Sequence, residues 1–263
     1  MVNKLESNTN QLIITKKQYS TTITLNNPKY KNALSEELTP YLRKALKKIS
    51  QDKSCKVLLI RGTGNSFCSG GNIKKMSPNK KENNISVKSK IKDLEKKQME
   101  LTYLISSLSI PTIAVITGPA AGAGFSLALS CDIRIGDSNA FFLSNYSNIG
   151  LTGDYGISWY LASLLGISKA KEIMFLNERI YAERAYKLGI LNYYYKKNFD
   201  KEVDNITEKL LNQSSLALKL IKRNINFSYQ NNLKKSLSQE AKNLVKSSMS
   251  PEHKLAVDKF KKS

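Results

Sequence analysis

Two strand-to-helix turns and one carboxylate are the residues whose types and spacing suit chemistry. Each turn has the same layout: an apolar strand, a run of small residues, then a helix start. Leu58–Ile60 leads into Ser69-Gly70-Gly71-Asn72, and Ile113–Ile116 leads into Gly122-Ala123-Gly124. Small residues let a ligand approach the backbone closely. The first amides of a helix have no intrahelical acceptor and carry partial positive charge. Two such amides converging on one point make an oxyanion hole, worth about 3 kcal/mol per donor when charge builds on an oxygen. A single glycine-rich turn more often only reverses the chain. Neither turn fits the phosphate loop or the dinucleotide fingerprint. The carboxylate is Asp154, in the glycine-flanked loop Gly150-Leu151-Thr152-Gly153-Asp154-Tyr155-Gly156. An Asp in an apolar pocket has a raised pKa and suits general acid–base work. The plainer reading of Asp154 is an Asx-turn residue.

Composition removes several other chemistries. The single histidine, His253, argues against zinc sites built on His clusters and weakens any Ser-His-Asp arrangement. Cys55, Cys68 and Cys131 are too widely spaced for a disulfide framework or a CxxC metal site, which suits a reducing, cytoplasmic compartment. No metal is expected. No uncharged apolar run reaches membrane-spanning length, and the first residues lack a secretory apolar segment. The 42 Lys and Arg against 21 Asp and Glu give a net charge of +21. That charge attracts polyanions, although a chain so rich in Lys, Asn, Ile and Tyr reaches it by compositional drift as well.

The elements that must position these residues form an α/β pattern. Leu12–Thr15 and Thr22–Leu25 read as a hairpin. Ser35 opens a helix with Glu36 and Glu37 in its first turn and an apolar stripe of Leu38, Leu42, Ala45, Leu46 and Ile49. Buried-type strands are predicted at 56–61 and 111–116, and further strands at 132–135 and 140–143. A helix is expected over 87–107, after a polar loop from Ser77 to Ser89. Phe125 and Trp159 are expected in the core. From about Asp200 the chain is helical and rich in lysine. The alternation suggests repeated β-β-α units, with residues 1–200 as core and 201–263 as a helical region.

Phe67-Cys68-Ser69-Gly70-Gly71-Asn72-Ile73-Lys74-Lys75-Met76 resembles the first signature of the crotonase (enoyl-CoA hydratase/isomerase) superfamily. The segment from Pro111 to Gly124, ending in Ser130-Cys131-Asp132, resembles the second. Asn27–Ser35 and Arg179–Asn192 are similar to flanking pieces of that family. The resemblance spans roughly Leu12 to Asn192, in order. It implies a spiral of β-β-α turns with a helical C-terminal trimerisation region, and a homotrimer or a dimer of trimers.

By that resemblance the backbone amides of Gly71 and Ala123 hold the thioester oxygen of an acyl-CoA. CoA lies along Lys29, Lys31, Ala33, Ser69, Gly70, Asn72, Ile73 and Lys74, with Gly122, Ser126 and Tyr146 also facing substrate. Any one of these lysines is equally a solvated surface residue. No cofactor is implied beyond the CoA of the substrate. Hydratases of the family use two glutamates, at the positions of Ser126 and Tyr146 in this chain. Asp154 matches the position of a proton-carrying Asp in isomerase-type members. The resemblance therefore favours double-bond isomerisation of an enoyl-CoA over hydration of a 2-enoyl-CoA. Less favoured readings are a member that binds CoA thioesters without turnover and an RNA binder using Arg43, Lys44, Lys47 and Lys48. Nucleic acid is not expected as the primary partner, and no membrane is.

Overall fold

The computed structural model describes residues 2–5, 9–71 and 86–261. A seven-stranded sheet runs in the order β1-β2-β3-β4-β5-β7-β10. Strands β1 (Val2–Leu5), β2 (Leu12–Lys17) and β3 (Ser20–Leu25) are antiparallel neighbours, which includes the expected hairpin. From β3 the sheet continues in parallel through β4 (Val57–Gly62), β5 (Thr112–Ile116), β7 (Ile133–Gly136) and β10 (Tyr193–Tyr194).

The continuous apolar runs of β4 and β5 follow from burial on both faces of a parallel sheet. Side chains alternate across a strand. Leu58, Ile60, Ala114 and Ile116 point into the main core, while Val57, Leu59, Ile113 and Val115 point into a second cluster. The main core is closed by α1 (Thr39–Gln51), α4 (Ala123–Leu129), α5 (Ile157–Leu165), α6 (Ile167–Leu176) and α7 (Ala182–Lys187). The second is closed by Val203 and Ile206 of α8 (Phe199–Leu211). Helix α8 straddles residue 200, so the helical tail begins with an element packed on the sheet.

A small sheet of β6 (Pro119–Ala121), β8 (Phe141–Leu143) and β9 (Ile180–Tyr181) sits beside the large one. The expected long helix over 87–107 divides into α2 (Val87–Gln98), a π-helical turn at Met99–Tyr103 and α3 (Leu104–Ser107). Helices α9 (Ser215–Tyr229), α10 (Leu233–Ser248) and α11 (Pro251–Phe260) complete the chain. No helix among the described residues is long and apolar enough to cross a membrane.

Two sequence expectations are corrected. Regular α1 starts at Thr39 rather than Ser35. Pro40 has no N–H to donate back to Glu36, although Thr39 N–H already reaches Ser35 O at 2.9 Å and Ser35 Oγ accepts from Leu38 N–H at 3.0 Å. Phe125 is buried against Phe142 as expected, but Trp159 is 52% exposed. It lies on the outer side of α5, edge-on to Tyr229 of α9.

Candidate active site

Main-chain hydrogen bonds stitch the two glycine turns together. Phe67 and Cys68 N–H both donate to Pro119 O, at 3.1 and 3.0 Å, and Ala121 N–H donates to Cys68 O at 2.9 Å. Gly122 N–H is held by Leu143 O of β8 at 2.9 Å. The Ala123 amide is the first of α4 and so lacks an intrahelical acceptor. The turns touch only because side chains are absent between them. A Cβ at Gly70, which sits at φ +88°, would stand 2.6 Å from Ala121 O and 3.1 Å from Ala123 N. A Cβ at Gly124 would stand 2.1 Å from Cys68 O. The structure therefore brings Gly70-Gly71 and Gly122-Ala123 to one place, as the sequence led us to expect.

The segment Pro28–Leu34 lies on the first turn. Ser69 N–H donates to Lys31 O at 3.0 Å, Ser69 Oγ to Tyr30 O at 3.3 Å, and Leu34 N–H to Gly70 O at 2.8 Å. Lys29 and Lys31 are exposed, whereas Ala33 is buried. Asn72, Ile73 and Lys74 lie outside the described residues, as does most of the polar loop from Ser77 to Ser89.

Asn32 fixes this segment, and sequence reasoning did not single it out. It is fully buried at φ +55°. Its Nδ2 donates to Thr63 O at 2.9 Å and Ser66 O at 2.7 Å, and its Oδ1 accepts from Asn27 N–H at 2.8 Å. Asn tolerates this left-handed conformation better than most residues. Asn32→Ala leaves those three backbone groups without their partner and is expected to destabilise the fold by about 3 kcal/mol. A wild-type thermal midpoint for the variant contradicts this.

Asp154 stands against the second turn. Its carboxyl accepts a hydrogen bond at Oδ1 from the Tyr146 hydroxyl at 2.7 Å, and its carbonyl accepts one from Ser126 Oγ at 3.0 Å. Ser126 is fully buried and Tyr146 nearly so. Both polar groups that sequence reasoning assigned to substrate are thus engaged with Asp154. The Tyr146 ring runs between the two loops: its Cζ is 3.9 Å from the Cβ position of Gly122, and its Cδ2 is 3.7 Å from that of Gly153. Burial raises the Asp154 carboxyl above the ordinary carboxylate range, and the Tyr146 hydrogen bond partly offsets that. Burial, followed by the Asp154 charge, pushes the Tyr146 phenol above its ordinary value.

The next residue carries backbone strain. Tyr155 is bulky and buried yet holds φ +52°. Its N–H donates to Gln98 Oε1 at 2.6 Å. Gln98 comes just before the π-helical turn Met99–Tyr103, a distortion frequent at functional sites. The sequence held no local signal for this contact, because it joins residues far apart in the chain. Asp154 and its phenolic partner thus stand beside the Gly122 turn, which packs on the Gly70 turn.

The chain is similar to proteins of one family. The enoyl-CoA hydratase/isomerase family profile matches residues 16–262. A short-chain-enoyl-CoA hydratase of Clostridium acetobutylicum is 30% identical over 88% of this chain and 87% of its own length. A 1,2-epoxyphenylacetyl-CoA isomerase of Escherichia coli (strain K12) is 30% identical over 83% of each. The crystal structure of an enoyl-CoA hydratase from Polaromonas sp. JS666 superposes with a TM-score of 0.86 at 30% identity, covering 95% of this chain and 96% of that one.

Proposed function

We propose, for a chain that belongs to the enoyl-CoA hydratase/isomerase family, that it shifts a carbon–carbon double bond along an enoyl-CoA thioester. The observation that carries this reading is a buried carboxyl, Asp154, sharing the Tyr146 side chain as a wall with the Gly122-Ala123 turn. Asp154 takes a proton from one acyl carbon. The electron pair flows toward the thioester carbonyl and gives an enolate. The Gly71 and Ala123 amides hold the charge on its oxygen. The proton then returns at a carbon further along the chain, the double bond moves, and nothing else is consumed.

Hydration of a 2-enoyl-CoA is the second reading, favoured by the hydratase among the relatives. Incubation with 2-enoyl-, 3-enoyl- and dienoyl-CoA thioesters in deuterated water separates the two, with NMR reporting double-bond position and water addition. A moved double bond with deuterium beside the thioester supports isomerisation. A 3-hydroxyacyl-CoA as main product puts hydration in its place.

The same reading gives CoA contacts to Lys29 and Lys31 at the exposed edge of the first turn. It also makes the protein a homotrimer or a dimer of trimers. In support, Ile221, Ile225, Leu233, Leu237 and Leu244 of α9 and α10 are exposed, an amount of apolar surface that suits subunit contact. Light scattering at micromolar concentration is expected to give three or six times the chain mass, and the mass of one chain contradicts this. Three unpaired cysteines suit a reducing cytoplasm.

A further inference from the structure

We propose that Tyr146 is a positioning residue for Asp154: its hydroxyl holds Oδ1, so that the proton is taken up and given back at Oδ2. The inference rests on the assignment of proton transfer to Asp154. A carboxylate free to rotate presents either oxygen and spreads its lone pairs over many directions. Here one of the two oxygens is engaged. The Tyr146 hydroxyl donates to Oδ1 at 2.7 Å, and Oδ2 has no hydrogen-bond partner among the described residues. The backbone under the carboxyl is held as well. Ser126 Oγ binds the Asp154 carbonyl at 3.0 Å, and Gln98 Oε1 binds the following amide at 2.6 Å.

Tyr146 suits the task because it stays a donor throughout the cycle. It is buried, with its ring against Gly122 and Gly153, and its phenol is held above its ordinary pKa. It therefore does not ionise at working pH and does not compete for the proton. When Oδ2 is protonated, Oδ1 becomes the carbonyl oxygen of a carboxylic acid and still accepts the phenol hydrogen. Only the Oδ2–H bond forms and breaks. The bond to Oδ1 favours the ionised carboxylate and so keeps Asp154 available as a base. The titratable groups facing Asp154 are Tyr146 and the adjacent Tyr155, with Arg43 and Asp93 acting on Tyr155 from further out.

The test is Tyr146→Phe in the full-length protein, assayed with 3-hexenoyl-CoA for isomerisation and for solvent exchange in deuterated water. The variant keeps the ring packing and loses the donor. We expect kcat to fall about 10- to 100-fold with KM near wild type. The acidic limb of kcat/KM moves to higher pH, because the lost bond had stabilised the carboxylate. Wild-type kcat, or a uniform loss with an unmoved limb, overturns the positioning role. Replacing Tyr146 by a fluorinated tyrosine keeps the shape and strengthens the donor, and should move the limb to lower pH. If the Phe variant does not fold, this replacement decides alone, and an unmoved limb overturns the proposal. Asp154→Asn separates the two levels. If it turns over normally, the assignment to Asp154 fails. If it is inactive while Tyr146→Phe matches wild type, only the positioning role fails.

Discussion

Asp154→Asn is expected to lose about 10²- to 10⁴-fold in kcat for the double-bond shift, the range that a positioned acid–base group supplies. The amide keeps the size of the side chain and still offers Oδ1 to the Tyr146 hydroxyl, so acyl-CoA binding should stay near wild type. Solvent exchange beside the thioester should disappear with turnover. A stability change of opposite sign accompanies the loss. Burial raises the Asp154 carboxyl in the folded protein. Its stabilising contribution is therefore present below the ordinary carboxylate pKa and is lost as the pH rises through the folded value. At neutral pH the wild type carries a poorly solvated carboxylate that the Asn variant lacks. The variant should melt higher at pH 7, with the gap closing in acid. A site residue whose removal stabilises the fold is the pattern expected where function and stability compete. Unchanged turnover, or a lower midpoint at pH 7 that persists in acid, contradicts these expectations.

The sequence was most legible where chemistry is local. A glycine pair after a strand states that the backbone must be approached, and β4 and β5 announce their two-sided burial by unbroken apolar runs. Asp154 stood out because it matches the position of a proton-carrying Asp in the family the sequence resembles, while Ser126 and Tyr146 stand where hydratases have glutamates. What stayed hidden depends on contacts distant in sequence. Asn32 reads as an ordinary loop residue until Thr63 and Ser66 are folded over it. Gln98 lies 57 positions from the amide it accepts. Ser126 and Tyr146 were read as lining for a substrate because side-chain direction within a helix start or a loop is set by its neighbours. Their hydroxyls bond Asp154, a pairing that only the fold reveals. Trp159 shows the limit of hydrophobicity as a guide to burial: its helix has an outer side, and the indole lies edge-on to a tyrosine there.

Gly70→Ala should cost about 10²- to 10³-fold in kcat, comparable with removing one oxyanion donor, although it removes no N–H group. The added methyl would stand 2.6 Å from Ala121 O, closer than carbon contacts allow, and a tight 3.1 Å from Ala123 N. The second turn resists the push, because Gly122 is tied by its amide to Leu143 O of β8, outside both turns. The first turn must therefore shift, carrying Gly71 away from Ala123. Two donors aimed at one oxygen tolerate little misplacement before the charge they hold is lost to poorer geometry. The positive φ of +88° adds a backbone cost of about 1–2 kcal/mol. Gly189→Ala separates that cost from the wedge. Gly189 holds φ +81° with nothing within 4 Å of its Cβ position, so its variant should lose stability and keep kcat. Kinetics and melting curves for the two variants then read the convergence of the amides directly. If Gly70→Ala folds and turns over like wild type, the paired amides do not hold the reacting oxygen.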